Sequence, residues 1–196
     1  MTVHALDAIA PVCATWFARI GGALIMLIAL MVSGDVIARN LFNRMVFNSF
    51  EISIYLFAAA VTFGFAYTTL TGGHIRVDVV YARFPAPVRR ALDVAALLSL
   101  AVLGAFMTYF AWRLTAANYG RGVMSNSALA VPLALPQAVW ALGLTMFTLT
   151  AAMMFVRHLV LLARGDHAEA DRIGGIGSVE TEAGAEIADA RLREAR

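Results

Sequence analysis

Lysine is missing from this chain; all 15 basic residues are arginine. A phosphate-cradling loop that ends in lysine is therefore excluded. Cys13 is the single cysteine, so neither an intramolecular disulfide nor a cysteine-based metal site can form. No Gly-x-Ser-x-Gly sequence occurs, and no serine or cysteine has a histidine close by in the sequence, which leaves no nucleophile to support an enzyme. Charge is scarce as well. Only 14% of residues are charged, against ~25% in an average soluble domain. A formal net charge of +2 is too small to point to nucleic acid.

What fills the chain instead is oil. Of its 196 residues 61% are hydrophobic, and a soluble protein of this length could not hydrate such a surface. The expected class is an all-α integral membrane protein. Four apolar segments carry it, at about 16–39, 52–71, 93–113 and 136–157. Each approaches the ~20 residues needed to cross ~30 Å of hydrocarbon. In the first, the uncharged part from Ile20 to Gly34 would span only ~22 Å as a helix. Asp35 and Arg39 follow at i,i+4 spacing, where they can pair while Arg39 reaches outward. A cleaved signal peptide would want a basic start and a short apolar run. No basic residue precedes Arg19, so an uncleaved helix is expected.

Arginine placement sets the expected topology. With the N-terminus cytoplasmic, the inner side holds Arg19, Arg76, Arg83, Arg89, Arg90, Arg157, Arg164 and Arg172, and the outer side only Arg39, Arg44, Arg113 and Arg121. Both termini are then inside. The expected organisation is an N-terminal segment over 1–15, a four-helix membrane domain over 16–163 and a charged flexible tail over 164–196. Between helices two and three, Val77 to Phe84 reads either as a short interfacial segment or as an irregular loop, interrupted by Pro85 and Pro87. Asn118 to Leu135 is a turn-rich connector, and Pro136 suits the first turn of the last helix.

Four groups of residues could do more than span. Asp35, Arg39, Arg44 and Glu51 gather where helix one ends and helix two begins, and Arg39 could face Glu51 across that hairpin. A carboxylate at this depth is an ion site or, at a membrane edge, an ion pair fixing hairpin register. Ala60, Gly64 and Thr68 repeat every four residues, a small-residue face of the kind that lets helices approach in lipid. Ala101 with Ala105, and Ala141 with Thr145, offer similar spacing. The histidines are His4, His74, His158 and His167, none near a helix centre, so neither haem nor another cofactor is expected. Lastly, Gly73-His74-Ile75-Arg76-Val77-Asp78 sets three ionisable residues within five positions. Taken by themselves, these residues fit a phosphate anchor, a partner-docking surface or a network bracing the helices.

In order along the chain, Arg39 within Asp35-Val36-Ile37-Ala38-Arg39-Asn40-Leu41-Phe42, then Glu51, Gly64, the run Gly73 to Asp78, and Ser127-Ala128-Leu129-Ala130-Val131-Pro132 resemble the small membrane subunit (DctQ type) of tripartite ATP-independent periplasmic (TRAP) transporters. The resemblance covers roughly residues 15–163. Where such subunits often carry a tryptophan before the acidic residue of helix two, this chain has Asn48-Ser49-Phe50. The resemblance implies a non-catalytic scaffold in the bacterial inner membrane. Its partners would be a large membrane subunit, which holds the substrate and sodium sites, and a periplasmic solute-binding protein that delivers an organic acid. It also favours a bracing or docking role for Gly73, His74, Ile75, Arg76, Val77 and Asp78. The competing expectation is a self-contained homo-oligomeric transporter or channel that uses Asp35 or Glu51.

Overall fold

The structure, a computed structural model, describes residues 2–42, 48–72, 81, 83–127 and 129–174. It is all-helical apart from a single antiparallel bridge between Met124 and Pro132. The helices are α1 (Thr2–Phe42), α2 (Ser49–Leu70), α3 (Ala86–Gly120), α4 (Ala134–Ala163) and α5 (His167–Gly174). The first four are long and apolar enough to cross a membrane. Each is longer than its apolar segment, α2 by extending only at its start. Hydropathy marks the stretch that needs oil, whereas backbone hydrogen bonding carries the helix on into polar turns. Thus α1 runs through Pro11 without a break at residue 15.

Local chemistry sets the ends. After α2, Thr71 N–H donates to the Tyr67 carbonyl (3.0 Å), and Gly72 turns the chain with φ +67, a conformation open to glycine. Pro85 precedes α3 and Pro87 sits in its first turn, where a missing N–H leaves nothing unpaired. Pro136 holds the same kind of place in α4.

The four spanning helices do not close into a bundle. α1 packs on α2, α2 on α4 and α4 on α3, giving the lateral order α1–α2–α4–α3. Burial agrees: the most apolar 18-residue stretch is 39% buried in α2 and in α4, but 11% in α1 and 17% in α3. The inner pair thus has spanning neighbours on two sides, whereas α3 has one and α1 meets α4 only lightly besides α2.

Each of the three seams closes on a glycine. A Cβ at Gly21 would lie 2.8 Å from the Ala60 carbonyl oxygen, joining α1 to α2. At Gly143 it would meet Thr62 Cβ at 2.7 Å, joining α4 to α2. At Gly104 it would meet Phe147 Cε1 at 3.0 Å, joining α3 to α4. Phe17 meets Phe63 edge-on beside the first seam (4.8 Å), and Phe65 meets Phe147 beside the second (5.6 Å). The α3–α4 seam adds Thr108 to Thr148 (2.8 Å) and Trp112 Nε1–H to Thr145 Oγ1 (2.9 Å). Such hydrogen bonds average only ~0.6 kcal/mol each in lipid, so close packing dominates. Gly64 belongs to none of these seams, because a Cβ there meets nothing within 4 Å.

The chain then folds back. Gly165 (φ +75) reverses it after α4, and α5 returns against α4 and the start of α3. Ala170 is wholly buried there. Arg90 grips Asp171 with two hydrogen bonds of 2.9 and 3.1 Å, and Arg157 reaches Glu169 at 3.4 Å. The Arg90 guanidinium holds the Asp171 carboxyl below the usual aspartate range. A depressed carboxylate stabilises the docked state above its unfolded pKa and loses that contribution as pH falls through the folded one. Acidification below the ordinary aspartate range is therefore expected to release α5. Hydrogen-exchange protection of residues 167–171, taken relative to the slower intrinsic exchange in acid, should fall at low pH, and Arg90→Ala should show the lost protection already at pH 7. Slow exchange in that variant would show that the pair does not hold α5.

Candidate functional site

A polar rim joins the α1–α2 hairpin to the α3–α4 connector. It begins with Asp35, one turn before Arg39 on α1. Asp35 is almost fully buried and accepts hydrogen bonds from Arg39 Nη2 (2.7 Å) and from Ser49 Oγ at the start of α2 (2.7 Å). The i,i+4 pairing expected from spacing is thus present, and Ser49 adds a cross-helix donor. Arg39 turns to Asp35, while Glu51 is occupied elsewhere. Arg39 stays half exposed, as an arginine reaching outward should.

Glu51, in the first turn of α2, is the second centre. Tyr55 O–H donates to Oε1 at 2.6 Å, one turn further along the helix. Ser127 Oγ, from the α3–α4 connector, donates to Oε2, and Asn48 Nδ2 approaches the same oxygen at 3.5 Å. The connector is shaped to deliver that serine. Ser125 N–H donates to the Val131 carbonyl (2.8 Å), Leu133 N–H to the Val123 carbonyl (3.0 Å), and Pro132 bridges Met124. Ala130 closes the turn with φ +44, a left-handed conformation rare for alanine. Ser125 and Ser127 hydroxyls then meet at 3.0 Å. Asn118 on α3 donates to Gln137 on α4 (2.9 Å) and accepts from Arg121 (3.1 Å), holding the two roots of the connector together.

The opposite rim is built from other residues. Tyr81 O–H donates to Asp93 Oδ2 at 2.7 Å, and Arg89 lies over the Tyr81 ring. Asp93 is buried, as is His158 on α4. Both His158 ring nitrogens are buried without a hydrogen-bond partner among the described residues. This histidine stands near the end of α4, away from the helix centre as the sequence leads one to expect. The structure places it on the stripe of Leu144, Phe147, Ala151 and Met154, which faces the rest of the chain.

Of the residues singled out by sequence, the structure brings Glu51 and the connector containing Pro132 together, and holds Arg39 beside Asp35. Gly64 stands apart from the rim, midway along α2. Gly73, His74, Ile75, Arg76, Val77 and Asp78 lie outside the described residues, as does Arg44. Sequence reading passed over Ser49, Tyr55 and Ser125, and the seam glycines Gly21, Gly104 and Gly143. Ser49 and Tyr55 carry a usable signal, since each sits within four residues of Glu51. The seam glycines carry none beyond composition, because 15 glycines are spread along the chain.

Chemically, the rim is a set of satisfied pairs. Each carboxylate accepts from donors of its own chain and ties two elements in register. No group of three His, Cys, Asp or Glu side chains able to hold a metal occurs among the described residues. Comparison with known proteins agrees with a transport component. The family described as tripartite ATP-independent periplasmic transporters, DctQ component, matches over residues 28–161. That stretch runs from within α1 nearly to the end of α4. Neither the curated proteins nor the solved structures give a match.

Proposed function

Because the chain belongs to the DctQ-component family of tripartite ATP-independent periplasmic transporters, we propose that it braces the large membrane subunit of such a transporter without catalytic action of its own. The large subunit then carries solute across the bacterial inner membrane. The uptake is sodium-coupled, and the solute is an organic acid handed over by a periplasmic binding protein. The observation that carries this reading is the row α1–α2–α4–α3. Among the described residues the helices pack mainly as a row whose three seams each close on a glycine, which argues against a solute path through this chain alone. The row has two broad faces to lay against a larger partner. Gly64, where a Cβ would meet nothing within 4 Å, would allow a partner helix to approach that face of α2 closely. Arg39, Glu51 and Pro132 would act indirectly, by setting the rim that holds this surface in shape, and the run Gly73 to Asp78 would brace or dock from the other side.

The reading is tested by co-purification from detergent with the large membrane subunit and by reconstitution. The pair, supplied with the binding protein, is expected to take up solute on a sodium gradient; the chain alone is expected to be silent. Sodium-dependent flux through liposomes holding this chain alone would sink the proposal and restore the homo-oligomeric channel. That alternative is weakened by the engagement of Asp35 and Glu51 with donors of their own chain.

The proposed orientation places both termini in the cytoplasm and Ser125 in the periplasm. After Cys13 is replaced by alanine, cysteine at Ser125 should react with a membrane-impermeant maleimide in intact spheroplasts. Cysteine at Gly73 should react only after lysis. The reverse pattern would invert the topology.

A further inference from the structure

The outer edge of α3, the last helix in the row, carries a charge that no carboxylate among the described residues answers. α3 turns Asp93, Leu97, Gly104, Ala111, Thr115 and Asn118 inward. About half a turn away, at helical spacing, stand Val102, Phe106, Tyr109 and Arg113, all exposed. Among the described residues Arg113 has no carboxylate partner; its guanidinium lies over the Tyr109 ring at 5.8 Å. The depth of this arginine follows from the sequence. Between Asp93 and Arg113 the helix has 19 residues without charge, about 28 Å of rise. That nearly equals the ~30 Å of hydrocarbon. With Asp93 at one boundary, Arg113 reaches the other, level with the headgroups on the side of the α3–α4 connector.

We propose that this edge is a binding site for one phospholipid of that leaflet. The Arg113 guanidinium holds the phosphodiester, and an acyl chain lies along Phe106 and Val102. A planar guanidinium fork matches phosphate oxygens, and a tyrosine at the boundary keeps one end in oil and the other wet. A lipid fits this edge better than a helix does. Each seam inside the chain is made through a glycine, whereas the edge presents large side chains. Its rings are already packed on one another, Phe106 on Phe110 at 4.6 Å and Tyr109 on Phe110 at 5.2 Å. Such a surface leaves no groove for a backbone, but an acyl chain can follow it. The site does not depend on the role proposed for the subunit.

The test uses the full chain in detergent with added phosphatidylglycerol, and native mass spectrometry to count retained lipids. Arg113→Gln is expected to lose one lipid that the parent chain holds, with roughly tenfold weaker retention. Phe106→Ala, which leaves the arginine in place, should weaken the same step. Arg83→Gln, in the turn that precedes α3 at its opposite end, should match the parent. Unchanged retention in Arg113→Gln, or an equal loss in Arg83→Gln, would overturn the site. So would an Arg113→Gln chain that keeps its lipid but no longer co-purifies with the large subunit, since a protein carboxylate would then be the partner.

Discussion

Gly143→Val is expected to cost this chain about 3 kcal/mol, at the upper end of the usual overpacking range, or ~6–12 °C in its thermal midpoint in detergent. The reason lies in what a side chain at 143 would strike. Thr62 Oγ1 would lie nearest the new Cβ, with Thr62 Cβ at 2.7 Å and Phe63 Cδ1 at 2.9 Å. None of these can swing aside freely. The Thr62 hydroxyl is tied back to the carbonyls of Ala58 (3.0 Å) and Ala59 (3.1 Å), and Phe63 is wedged against Phe17 of α1. The seam must open, and the displacement reaches α1. A Cβ at Gly64, on the same helix as Thr62, meets nothing within 4 Å, and Gly64→Val should leave the midpoint of the isolated chain nearly unchanged. Equal midpoints for Gly143→Val and the parent would mean that α2 and α4 do not touch as described.

Glu51→Ala should lower the midpoint by several degrees through a different route. It strips the acceptor from Tyr55, Asn48 and Ser127 at once and frees the connector from the start of α2. Charge-assisted hydrogen bonds exceed neutral ones, and donors left without an acceptor in a partly dry rim lose more than the bond itself. Glu51→Gln keeps one acceptor oxygen and should fall between. Ser127→Ala provides the decisive comparison. If Ser127 acts through Glu51, the double variant Glu51→Ala/Ser127→Ala is no worse than Glu51→Ala alone. Full additivity would show the two residues to be independent.

The span count and the all-α class were legible because they rest on averages over twenty residues. So was the Asp35–Arg39 pair, which needs only the helical repeat. The Glu51–Ser127 contact was not legible, since it joins positions 76 apart and depends on how the connector folds. Seam position was hidden for a related reason. The ladder Ala60, Gly64 and Thr68 has the right spacing, and Ala60 does sit at a seam, yet the glycine facing it is Gly21 on another helix. Likewise Ala101 and Ala105 flank the true contact at Gly104. Spacing on one helix cannot tell which of its faces another helix will take. The run from Gly73 to Asp78, the densest polar signal in the sequence, lies outside the described residues, and its role rests on family resemblance.

The lateral order α1–α2–α4–α3 also dictates an order of assembly. Helices adjacent in the chain pair as α1 with α2 and α3 with α4, while α2 and α3, though consecutive, lie on either side of α4. During synthesis the first hairpin can close as soon as α2 enters the membrane. α3 must then wait in lipid until α4 arrives, and only a finished second hairpin can offer Gly143 to Thr62. The chain is thus two hairpins meeting along one late seam. A cut between α2 and α3 should leave halves that insert separately and find each other within the bilayer.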